Sequence, residues 1–115
     1  MNQDHNRSID RIRHILDAIK DIRSFVSGKE YSDFREDSRS YFACLYLFAV
    51  IGEAIARIDE RILEKFEYPW YKVRSFRNFI LHEYHAIDAE MVWDTILNDM
   101  PVLEKVIINI LEDEP

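Results

Sequence analysis

Residues 73–88, VRSFRNFILHEYHAID, concentrate ionisable side chains inside an otherwise apolar pattern, and Arg77, Asn78, His82 and Tyr84 fall within one short stretch of it. Histidine gains and loses a proton near neutral pH, so His82 can take a proton from a ribose 2′-hydroxyl or return one to a leaving oxygen. Arg77 offers a planar fork of donors to a phosphate and stabilises the charge that grows on it. Tyr84 can position the phosphate or act as a weak acid. This set suits RNA cleavage by the RNA's own 2′-hydroxyl and requires no bound ion. A zinc site is not expected, because His82 and His85 are three apart but Cys44 and the two other His are scattered. On spacing alone, the same residues also fit the solvated polar face of a helix.

The element carrying them is itself constrained. At about 100° per residue, Val73, Phe76, Phe79 and Ile80 share one arc, which is the core face of a helix over residues 70–81. Arg74, Asn78 and His82 form a polar row on the other side. Arg77 lies at the border, about 140° from His82. The two therefore act together only if the helix ends near His82 or if a second copy of the chain supplies one of them.

The remaining elements are also helices. Apolar residues at three- and four-residue steps from Ile9 to Val26 predict an amphipathic helix over residues 7–26, with Ser8 or Asn6 as its cap and Gly28 just past its end. Residues 29–40 are polar and read as a connection with one helical turn, anchored by Tyr31 and Phe34. A second long helix is predicted over residues 39–66. Its first half is apolar on every side, and its second half is amphipathic through Ile55, Ile58, Ile62 and Phe66. Phe42, Leu45, Tyr46, Phe48 and Ile51 together exceed what one small bundle can bury, so a partner surface is expected. Gly52 in mid-helix costs about 1 kcal/mol relative to Ala, which points to close approach of another helix. Pro69 breaks the pattern, Asp88 caps a further helix from Ala89, and Pro101 starts its last portion.

Composition agrees with an all-α bundle of four to five helices in one domain over residues 1–115. Two Gly and three Pro in 115 residues are too few for a sheet-rich fold, a phosphate-cradling loop or a dinucleotide fingerprint. The formal charge of −7 sits wholly in residues 88–115, which hold eight acids against Lys105, so residues 1–87 are neutral and a local basic site is possible. The single Cys44, the absence of an apolar signal core at the start and an apolar run of only residues 41–51 lead to the expectation of a cytoplasmic protein outside the membrane.

Arg77, four residues, His82, one residue, Tyr84 resembles the motif of HEPN ribonucleases. Ile51-Gly52-Glu53-Ala54 upstream, Pro69-Trp70 before it, and Asp88 and Val92-Trp93-Asp94 after it make the chain similar to the HepT toxin family over nearly its whole length. Ser75 departs from relatives that often carry Gly or another small residue there, a difference bearing on local packing. The resemblance implies an up-and-down HEPN bundle that dimerises, with both motifs facing one composite cleft. It further implies a metal-independent endoribonuclease toxin, without cofactor, acting on RNA such as tRNA. Arg77 and His82 would be catalytic, with Asn78 and Tyr84 in support. The implied partner is a minimal nucleotidyltransferase antitoxin of the MntA type that adenylylates Tyr84. Trp70, Trp93 and the Gly52-Glu53 pair are expected to be structural. The alternative is a non-catalytic HEPN subunit that binds substrate or scaffolds a nucleotidyltransferase.

Overall fold

A computed structural model describes residues 2–113, and these form an all-α bundle in which no strand occurs. The long helix α1 (Asn2–Val26) is followed by the short α2 (Tyr31–Glu36), then by α3 (Ser38–Ala56), a single turn α4 (Glu60–Leu63) and α5 (Trp70–His82). A 3-10 turn, Tyr84–Ala86, leads to α6 (Ala89–Asp94), which continues through a π-segment, Thr95–Asp99, into α7 (Met100–Asp113). Helix α3 packs against both α1 and α5, and α7 closes on α1.

Several ends lie where the sequence places them. Gly28 has φ +75°, the left-handed conformation of a residue just past a helix, and the Lys29 amide donates to the Val26 carbonyl. The Asp88 carboxylate accepts from the Met91 amide at 2.9 Å and so caps α6. Pro69 precedes α5, whose first residue, Trp70, is buried and donates its indole N–H to the carbonyls of Leu63 and Phe66.

Two local expectations are corrected. Helix α1 starts at Asn2 rather than near Arg7, so neither Asn6 nor Ser8 is its cap. Ser8 lies inside the helix, buried, and its hydroxyl accepts from the Asp59 amide at 3.0 Å. The helix expected over residues 39–66 stops at Ala56: the Asp59 side chain caps a new turn by accepting from the Arg61 amide, and Arg11 donates to the Arg57 carbonyl. Ile55, Ile58 and Ile62 are nevertheless all buried. The last helical portion, α7, begins at Met100, one residue before Pro101, where the sequence places it. A proline cannot donate to the carbonyl four residues earlier, and the wider π-segment just before it lets the helix pass without a break.

Helix α3 explains the excess of apolar residues only in part. Leu45, Phe48 and Ile51 are buried within one chain, whereas Phe42 and Tyr46 are 60% and 68% exposed. The uninterrupted run at 41–51 also understates this element. By length and composition alone Ser38–Ala56 is long and apolar enough to cross a membrane, but in the fold it is the helix between α1 and α5. Cys44 lies on its buried side, and burial pushes its thiol up to about 11, the behaviour of a small apolar residue.

Candidate active site

Helix α5 carries Arg77, Asn78 and His82 on regular helical backbone, so the separation of about 140° between Arg77 and His82 holds in the folded chain. Val73, Phe76, Phe79 and Ile80 pack on the core, as their shared arc requires. Asn78 and His82, four residues apart, are both exposed. The helix ends at His82: Glu83 leaves helical geometry (φ −134°, ψ 33°) while its amide still bonds the Phe79 carbonyl at 2.8 Å. The chain then makes one 3-10 turn so that Ile87 reaches the core and Asp88 caps the next helix. Tyr84 opens that turn, 63% exposed, its ring edge-on to His85 with centroids 5.9 Å apart. The turn is tied to α3 by the Tyr41 hydroxyl, which donates to the Ile87 carbonyl at 3.1 Å.

Arg77 points the other way, toward α3. Its Nη1 donates to Glu53 Oε1 at 2.5 Å, and only 21% of its side chain is exposed. Glu53 shares its second oxygen with Arg57, whose Nε donates to Oε2 at 3.1 Å. The bond from Arg57 and the charge of Arg77 hold the Glu53 carboxyl below its ordinary range, against the opposing effect of burial. Arg77 Nε is buried and has no hydrogen-bond partner among the described residues, an arrangement that costs about 1–3 kcal/mol for a donor removed from water.

Gly52 sets this contact. A Cβ placed there would overlap Arg77 Cβ, and it would stand 2.7 Å from Arg77 Cγ and 3.2 Å from the Val73 carbonyl oxygen. The close approach inferred from a mid-helix glycine is therefore the crossing of α3 and α5 at Arg77. The Gly52-Glu53 pair, expected to be structural, thus builds this crossing: the glycine admits the Arg77 stem and the acid beside it bonds the guanidinium.

A single chain thus brings His82 and Tyr84 to one exposed end of α5, with Asn78 one turn before His82, and sets Arg77 apart from them. A groove of about 440 Å³ between α3, α5 and α7 is lined by Phe48, Val73, Phe76, Met100 and Leu103, among others, and contains none of Arg77, Asn78, His82 and Tyr84. Among the described residues, no group of three or more His, Cys, Asp or Glu stands together as a metal-ligand set.

Comparison with known proteins adds to this geometry. A family profile described as "Ribonuclease HepT-like" matches residues 15–110. A protein of Caldanaerobacter subterraneus subsp. tengcongensis named "Putative RNase" is 31% identical over 104 residues, covering 90% of this chain and 93% of its own length. Another of that name from Methanocaldococcus jannaschii is 31% identical over 100 residues, 86% of this chain and 83% of its own. A "Probable ribonuclease HepT" of Thermococcus cleftensis is 31% identical over 97 residues, 83% of this chain and 87% of its own. No solved structure matches.

Proposed function

The chain belongs to the HepT-like ribonuclease family, and from that premise we propose that it is a metal-independent endoribonuclease acting as a homodimer. We read it as the cytoplasmic toxin of a pair whose antitoxin is a minimal nucleotidyltransferase of the MntA type. The observation that carries this reading is the layout of α5, with His82 and Tyr84 exposed at its end and Arg77 about 140° away. A symmetric partner lets the arginine of one protomer approach the histidine of the other, so the pair encloses a cleft that one chain does not. Exposed Phe42 and Tyr46, one helical turn apart on α3, supply apolar surface for that pairing.

In the cleft, His82 withdraws the proton of the ribose 2′-hydroxyl as that oxygen attacks phosphorus. The bond from phosphorus to the 5′ oxygen breaks, a 2′,3′-cyclic phosphate forms, and the leaving oxygen regains a proton. Arg77 meets the charge that accumulates on the phosphoryl oxygens. Asn78 and Tyr84 hold the RNA backbone in place. The antitoxin transfers AMP from ATP to the Tyr84 oxygen with release of pyrophosphate. A bulky anion then occupies the phosphate position and repels RNA.

Incubation of the purified protein with total RNA in EDTA, with mapping of the ends, tests the chemistry. Cleavage survives the chelator, leaves 2′,3′-cyclic phosphate, and is abolished by His82→Ala and by Arg77→Ala. Activity that vanishes in EDTA and returns with a divalent ion overturns the mechanism. No cleavage under any condition favours the non-catalytic subunit instead. For control, co-expression with the nucleotidyltransferase adds AMP mass to the Tyr84 peptide, and Tyr84→Phe escapes it. Neutralisation with Tyr84 unmodified would mean inhibition by binding alone.

A further inference from the structure

Arg77 does not rest where its own hydrogen bonding would place it. Its Nε is buried and has no partner among the described residues, so this orientation is held by something other than full satisfaction of the guanidinium. Two features of α3 hold it. The missing side chain at Gly52 admits the Arg77 stem, since any Cβ there would overlap Arg77 Cβ. The neighbouring Glu53 then grips Nη1 at 2.5 Å. The other oxygen of Glu53 accepts from Arg57 Nε at 3.1 Å in an exposed contact, so Arg77 has Oε1 to itself.

From this we infer that Glu53 is a positioning residue for Arg77, a counter-ion that sets the guanidinium's direction and leaves its remaining donors for an RNA phosphate. The inference rests on the ribonuclease reading above and deepens it. An arginine bound at one Nη by a carboxylate loses the freedom of a long side chain, and its planar fork stays pre-oriented when the phosphoryl charge develops. Arg57 does not share this role: its side chain is 63% exposed and bonds Glu53 at the surface, away from Arg77 Nη1.

The test is steady-state cleavage of an RNA oligonucleotide by the full chain carrying Glu53→Gln, which keeps size and one acceptor but removes the charge. Melting temperature is measured alongside. We expect kcat to fall at least tenfold with KM changed less than threefold, and the melting temperature to stay close to that of the parent. Glu53→Asp, which restores the charge, recovers part of kcat, whereas Arg57→Ala costs less than threefold. Parental kcat in Glu53→Gln overturns the inference, as does an equal loss in Arg57→Ala. Should Glu53→Gln lower the melting temperature sharply, Glu53→Asp decides: a folded variant with no recovery of kcat also overturns it. If Arg77→Ala itself cleaves normally, the ribonuclease reading of Arg77 has failed, a result separate from any on Glu53.

Discussion

Replacing Gly52 by Ala tests the crossing of α3 and α5 through stability alone. In an isolated helix the change is favourable by about 1 kcal/mol, because glycine loses more backbone freedom on folding. In this fold the new methyl would overlap Arg77 Cβ, and it would lie 2.7 Å from Arg77 Cγ and 3.2 Å from the Val73 carbonyl oxygen, where carbon contacts prefer about 3.5–4.0 Å. Neither the root of a helical side chain nor a carbonyl can swing aside, so α5 itself has to move. Overpacking of this kind costs about 1–3 kcal/mol, and a backbone obstacle places it toward the upper end. After the propensity gain, a net loss of about 1–2 kcal/mol remains, a fall in melting temperature of about 4–8 °C for a chain of this size. Arg77→Ala keeps its Cβ and so does not rescue the loss. Thermal and urea denaturation of the parent, Gly52→Ala and the double variant measure this. A Gly52→Ala protein as stable as the parent, or more so, refutes the claim that this glycine exists for close approach.

Other outcomes follow from the same contacts. The Ser40 hydroxyl at 2.6 Å and amide at 3.2 Å, with Lys29 at 3.1 Å, lower the Asp37 carboxyl from 3.8 to about 2. The unfolded chain thus binds the extra proton between about pH 4 and 2, so Asp37 stabilises above that window and the contribution is lost as pH falls through it. Asp37→Asn should be less stable than the parent at pH 7, with the gap closing toward pH 2; a constant gap in urea melts would contradict this. Ser8→Ala leaves the Asp59 amide without its acceptor and should cost about 1–3 kcal/mol by denaturation, whereas an unchanged midpoint would show that water replaces the hydroxyl. The parent should scatter light as a dimer at micromolar concentration, and Phe42→Glu combined with Tyr46→Glu should give a monomer; a monomeric parent sinks the composite cleft.

What the sequence settles by itself is whatever depends on near neighbours along the chain. Apolar spacing set the buried faces of α1, α3 and α5; Asp88 and Gly28 act on the amide and backbone beside them; and the angle between Arg77 and His82 follows from helical geometry once α5 is a helix. The motif was legible for the same reason, since its three residues are carried on one helix and the turn that follows. What only the folded chain decides is carried by groups far apart in sequence. The stripe Ile55, Ile58, Ile62 runs on as if unbroken, and the break at 57–59 is made by Ser8 and Arg11, 51 and 46 residues distant, which take over an amide and a carbonyl that a continuous helix would use. Arg77 stood at a border in projection, and its true surroundings, Gly52 and Glu53 from 25 and 24 residues away, appear only when α3 and α5 cross. A period places a side chain on a face, but the partner waiting at that face is set by which other helix can come close enough, and here a single missing Cβ on α3 permits it.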